Sequence, residues 1–297
     1  MTGSGADYAG RLGAWARRAG VRVENVRYPR PEARGEVMAV RLTPVRTAAR
    51  AVVVHGAGND AIFPLLALFR TLLAADTEVF SFDVDGHGRG STTVFAADSV
   101  RRAVAAAVRV ARDGRPALPL HLVGHSLGGA LVLDALAVGS VECASASILS
   151  APVEVRIGVR TVLGELGGFF RIATLGQRAD YGLWGLVPAF GPVRRGAYPF
   201  RRADADGRSW SYVAAVGRLL AEMELERRVE SIRTPTLLVY SRGDALVPHA
   251  QGERLAARIR AARLVSLRSA SHYSLPFDDG TLASVAEWTA APVVATR

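Results

Sequence analysis

The sequence predicts an α/β fold: a mostly parallel central sheet flanked by helices on both faces, with a mainly helical cap inserted late in the chain. Three observations predict it. Short apolar or β-branched runs recur along the chain, helical patterns fill most intervals between them, and one long interval breaks the alternation. Runs of this kind suit strands buried on both faces. Strands separated by helices pair in parallel through right-handed crossovers.

After a short amphipathic stretch carrying Tyr8, Leu12 and Trp15, the alternating segments 21–28 and 35–42 read as antiparallel strands joined by a Pro-rich turn. The rhythm then changes. Segments 51–55, 78–83, 118–123, 144–149, 236–240 and 263–267 are expected parallel strands, and 63–75, 98–112, 127–138, 248–261 and 280–288 are expected helices. The interval 152–233 is too long for an ordinary loop, and Phe169, Phe170, Tyr181, Trp184, Phe190, Tyr198, Phe200 and Trp210 argue against a disordered linker. It is expected to be a cap of short helices punctuated by glycines, inserted into a core made of residues 1–151 and 234–297.

Composition narrows the function. With 297 residues, 49% of them hydrophobic, the chain can bury a sizeable core. No uninterrupted apolar run reaches the roughly 18 residues a membrane span needs. The first residues lack the basic-then-apolar order of a signal peptide, so a cytoplasmic location is expected. All 37 basic residues are arginine, which excludes lysine Schiff-base chemistry and a Walker-type phosphate loop. The net charge of +10 is dispersed among acidic residues and occurs at most in pairs such as Arg17-Arg18, so no nucleic-acid partner is expected. It is compatible with peripheral contact with a lipid surface. Cys143 is the only cysteine, so no intrachain disulfide can form; it reads as a small buried residue beside a strand.

The richest stretch is 120–129, Leu-His-Leu-Val-Gly-His-Ser-Leu-Gly-Gly, where a strand delivers Ser126 into a Gly-x-Ser-x-Gly turn before a helix. On such a turn the hydroxyl points away from the backbone, and small residues at 124 and 128 let the chain bend. A serine hydroxyl is a poor nucleophile without a base, and the base needs a third group to fix its tautomer. Histidine suits the first role and a carboxylate the second, in the chain order serine, acid, histidine. Asp244 lies in the turn after segment 236–240, and His272 in the turn after the last strand, both opening on the edge where α/β proteins bind ligands. Singly, Asp244 could cap the helix near Pro248 and His272 could be a surface residue; in this order they specify a triad. His121, His125 and His249 are weaker candidates, His55 and His87 read as structural, and Glu154, Asp278 and Asp279 fit the layout less well. An oxyanion formed in acyl transfer needs donors, for which the Leu127 amide and the Ala57 amide on the Gly-rich turn 54–60 are placed.

Four segments, His55-Gly56-Ala57-Gly58, 83–91, Gly124-His125-Ser126-Leu127-Gly128-Gly129, and Asp244-Ala245-Leu246-Val247-Pro248 ahead of His272, resemble the serine α/β-hydrolase superfamily. Within it the chain is similar to the monoacylglycerol lipase and lysophospholipase-like branch. The resemblance implies an α/β-hydrolase fold with Ser126 as nucleophile, Asp244 as orienting acid, His272 as base, and Ala57 and Leu127 as the oxyanion hole, with no metal or organic cofactor. It implies a carboxylic ester hydrolase working through an acyl-enzyme on a small-molecule or lipid ester. The aromatic cap favours a hydrophobic acyl group such as that of a monoacylglycerol or lysophospholipid. A thioesterase or acyltransferase using the same triad is an alternative, and a non-catalytic hydrolase-like binding protein is another. Epoxide hydrolases and dehalogenases of this fold use a carboxylate at the elbow, where this chain has Ser126. Ser271 stands where such enzymes often carry glycine, and Asp85 is expected to be structural. The oligomeric state is not specified by the sequence.

Overall fold

Residue spacing along the apolar runs is reflected in a single sheet, seen in a computed structural model that describes residues 13, 15–57, 59–62, 65–87, 96–115, 117–154 and 209–290. The strands are β1 (Arg22–Pro29), β2 (Glu36–Thr43), β3 (Ala49–Val54), β4 (Thr77–Phe82), β5 (Leu120–His125), β6 (Ser145–Leu149), β7 (Thr236–Ser241) and β8 (Ala262–Leu267). They lie in the order β1-β2-β4-β3-β5-β6-β7-β8. β2 is antiparallel to both β1 and β4, and every other neighbouring pair is parallel. The α/β-hydrolase fold expected from the sequence is therefore present.

Period-two geometry divides the sheet's side chains between two cores. Val52, Leu122, Ile148 and Leu238 enter one, while their chain neighbours Val53, Val123, Leu149 and Val239 enter the other. Strands β3 to β7 are buried along their full length, which requires helices on both faces. On the first face lie α2 (Ala97–Arg112) and α3 (Leu127–Ala137); α1 (Leu66–Ala74) covers the second with Leu68, Phe69 and Leu72. Helix α2 buries Val100, Val104, Ala107 and Ala111 at helical spacing and leaves its polar face outward. Helix α3 is buried nearly all round, and its one charged residue, Asp134, is held by both Arg101 Nε and Nη2, at 3.1 and 3.0 Å.

Most of the expected cap, residues 155–208, lies outside the described residues. The interval ends in α4 (Ser209–Met223), α5 (Leu225–Arg228) and a 3-10 turn at Val229–Ser231. From these, Leu219, Leu220, Met223, Leu225, Val229 and Ile232 are buried in the core that also holds Leu122 of β5. Two more helices follow the last strands' loops, α6 (His249–Arg258) and α7 (Asp279–Ala290). No helix among the described residues is long and apolar enough to cross a membrane.

Candidate active site

Strand β5 ends at His125, and the next residue turns the chain abruptly. Ser126 has φ 54° and ψ −122°, a left-handed conformation that a side chain rarely adopts. The strain is held by its surroundings: the Ser126 amide donates to the Leu149 carbonyl at 2.9 Å, and the Ser126 carbonyl accepts from Ala130 at 3.1 Å to start α3. Glycine is required where this helix crosses the strand ends. A Cβ on Gly124 would lie 2.5 Å from the Gly128 carbonyl oxygen, and one on Gly128 would lie 2.6 Å from the His55 carbonyl oxygen. Gly128→Ala is therefore expected to displace backbone rather than a flexible side chain, lowering stability by about 1–3 kcal/mol. Thermal denaturation checks it, and an unchanged Tm would contradict the close approach.

The three residues expected to act together meet at this edge. His272 Nε2 is 2.9 Å from Ser126 Oγ, and His272 Nδ1 is 2.8 Å from Asp244 Oδ2. All three are buried. Asp244 Oδ1 accepts from the amides of Leu246 and Val247 at 3.0 and 2.7 Å, so it closes the turn before α6 and also faces the histidine. The cap role and the site role of this carboxylate are thus simultaneous. Burial pushes the Asp244 carboxyl up, but the neighbouring His272 and the bonds from His272 and Val247 outweigh it and hold it below its ordinary value. A carboxylate can only accept, so Nδ1 of His272 donates and Nε2 is left bare toward the serine hydroxyl. That is the tautomer in which an imidazole can take a proton from Ser126.

The turn after β3 packs directly on the elbow, since a Cβ on Gly56 would stand 3.0 Å from Ser126 Cβ. Ala57 is half-buried in it. Among the described residues, neither the Ala57 nor the Leu127 amide has a hydrogen-bond acceptor.

Support for this turn was read from the sequence only as far as His55, His87 and Asp85 being structural. His55 Nε2 accepts from the Val84 amide at 3.0 Å, which leaves its Nδ1–H to donate to the Gly56 carbonyl at 2.8 Å. Asp83 Oδ1 accepts from Ala61 at 2.7 Å, and Asp85 is clamped by Arg30 Nε and Nη2 at 2.9 and 2.5 Å. Asp85 is thereby engaged in joining the β1–β2 turn to loop 83–87. The sequence signals for these roles were the position of the polar residues just past strand ends and the resemblance carried by segment 83–91.

Other candidates are placed elsewhere. His121 meets Ser145 Oγ, His249 meets Ser266 Oγ, Glu154 pairs with Arg254, and Asp278 accepts from the amides of Gly280 and Thr281. His87 is buried and pushed down to about 3, first by desolvation. Ser271 needs no glycine-like backbone, because its φ is not left-handed; its amide donates to Ser274 Oγ at 2.8 Å. Cys143 is half-buried, and burial pushes its thiol up to about 12, which leaves it inert as a nucleophile. Among the described residues no group of three or more His, Cys, Asp or Glu is arranged to hold a metal ion.

Comparison with known proteins agrees with this fold. Residues 51–288 match the family described as the alpha/beta hydrolase family. A Pseudomonas savastanoi pv. phaseolicola protein provisionally named carbamate hydrolase RutD is 29% identical over 222 residues, covering 69% of this chain and 82% of its own. The fold is similar to that of a serine hydrolase from the hydrocarbon-degrading bacterium Cycloclasticus zankles, with TM-score 0.68, 14% identity, and coverage of 90% of this chain and 98% of the other. It is also similar to the Pyrococcus furiosus esterase Pf2001, with TM-score 0.61, 16% identity, and coverage of 92% and 93%. The matched segment runs from β3 through α7 and contains the elbow, the Gly-rich turn and both later loops, so the chain belongs to the alpha/beta hydrolase family.

Proposed function

We propose that the protein is a serine hydrolase that cleaves carboxylic esters through an acyl-enzyme. The observation that carries this reading is the continuous hydrogen-bonded chain from Ser126 Oγ through His272 to Asp244, with the serine on a strained turn. Ser126 Oγ attacks the carbonyl carbon while His272 Nε2 takes its proton, and Asp244 stabilises the imidazolium that results. The amides of Ala57 and Leu127 donate to the oxyanion, each worth about 3 kcal/mol of barrier by the usual cost of losing one donor. His272 then protonates the departing alcohol, and water activated by the same imidazole releases the acid.

The substrate reading is a hydrophobic acyl ester, in the manner of the monoacylglycerol lipase and lysophospholipase-like branch, favoured by the aromatic residues of the interval 152–233. A second reading, supported by the name of the Pseudomonas relative, is a carbamate substrate, whose carbonyl the same residues could attack. Labelling by a fluorophosphonate probe tests the chemistry: stoichiometric modification of the wild type is expected, and a folded protein that does not label would overturn it. A series of p-nitrophenyl esters from acetyl to octanoyl, with a p-nitrophenyl carbamate beside them, tests the substrate. Faster turnover of octanoyl than acetyl supports the acyl reading; a sharp acetyl preference counts against it, and preferential carbamate turnover transfers support to the second.

A further inference from the structure

The loop bearing His272 has a geometric problem to solve. It leaves β8, three strands from β5 in the sheet order, so it must reach back across roughly 14 Å to bring an imidazole to Ser126. Asp244, on the loop after β7, fixes the far side of the ring through Nδ1. The inner turn of the loop is tied to itself by Ser271 and Ser274. His125, the last residue before the elbow serine, bonds to the main chain of His272. Its Nε2 lies 3.2 Å from the His272 carbonyl oxygen, and the two rings are 5.0 Å apart, inclined at 36°.

His125 occupies this place at a cost. It is buried, and its Nδ1 has no hydrogen-bond partner among the described residues. Because a carbonyl can only accept, Nε2 carries the proton and the bare, orphaned atom is Nδ1. Burial, with His272 next, pushes its pKa down to about 3, so the ring stays neutral at working pH. A buried unsatisfied acceptor is destabilising, and an apolar ring of the same size would fill the space without that penalty. The orphaned nitrogen faces the Gly-rich turn, 3.2 Å from where a Cβ on Gly56 would stand, with Asn59 Nδ2 at the same distance from that point. His125 therefore stands between the elbow, the Gly-rich turn and the His272 loop.

We infer that His125 is a positioning residue of the acyl-transfer site, its Nε2–H holding the His272 main chain so that the His272 imidazole stays in line between Ser126 and Asp244. This rests on the serine hydrolase reading above. The role is distinct from packing because it depends on one donor at one position. Glutamine can place its amide nitrogen where Nε2 lies, whereas asparagine places it where Nδ1 lies, and phenylalanine keeps the bulk without a donor.

The test compares the full-length His125→Phe, His125→Gln and His125→Asn variants with wild type, by fluorophosphonate labelling rate and by kcat and KM on p-nitrophenyl butyrate. For a folded His125→Phe, labelling and kcat are expected to fall by about tenfold or more with KM unchanged, the effect of a misplaced base rather than of lost substrate binding. His125→Gln is expected to return to within about threefold of wild type, and His125→Asn to remain slow. Wild-type rates in His125→Phe, or equal rates in the Gln and Asn variants, would overturn the inference while leaving the parent reading intact. If His125→Phe does not fold, the Gln and Asn comparison decides alone. A wild type that does not label removes the serine hydrolase reading, and this inference with it.

Discussion

Ser126→Ala is expected to reduce ester hydrolysis by about 10⁴- to 10⁶-fold while leaving the fold in place. The loss is large because the hydroxyl is the only group of the proposed chain that forms a bond to carbon; His272 and Asp244 act through it. The fold should survive because the elbow's backbone is held by its own bonds, from Ser126 to Leu149 and from Ala130 to Ser126, none of which uses Oγ. Alanine must still adopt φ 54°, so a modest fall in Tm is compatible with the reading. The measurement is kcat/KM together with fluorophosphonate labelling. A variant that labels as fast as wild type would show that another nucleophile is responsible.

Asp244→Asn carries the second large effect, a fall in kcat of about 10⁴-fold at neutral pH. The geometry explains why so conservative a change should matter. The amides of Leu246 and Val247 both donate to Oδ1, so an asparagine there must turn its carbonyl oxygen to them. Its NH₂ group then faces His272 Nδ1 and forces that nitrogen to accept. The proton moves to Nε2, which can no longer receive one from Ser126 Oγ. Folding should be nearly unchanged, since both backbone bonds persist. Activity within tenfold of wild type, by the same kcat measurement, would remove the tautomer argument and with it the orienting role of Asp244.

The chain's regular elements were legible because the physics that sets them is local. Apolar runs at 51–55, 118–123 and 236–240 read as strands buried on both faces, and they are, within a residue or two, at β3, β5 and β7. The antiparallel start was legible from alternation on either side of a Pro-rich turn, and β1 and β2 pair from Arg22 opposite Thr43 to Pro29 opposite Glu36. The position of β4 between β2 and β3 was not, because strand order is decided by packing across the sheet and leaves no period in the sequence. Likewise Asp244 read equally well as a helix cap, and no local pattern could reveal that one of its oxygens serves each role.

By itself, then, the sequence determined the fold class and which residue types sit just beyond which strand ends: a serine between glycines, an acid after β7, a histidine after β8. These follow from steric and hydrophobic rules that act over a few residues. Only the tertiary structure decided that Ser126, His272 and Asp244 lie within hydrogen-bond reach. It alone revealed that His55, Asp83 and Arg30 brace the loops behind them and that His125 grips the His272 main chain. Those contacts join residues up to 147 positions apart, and the energy that fixes them comes from burial and from donors meeting acceptors across the sheet edge. No window of the sequence contains both partners, so only the folded chain could pair them.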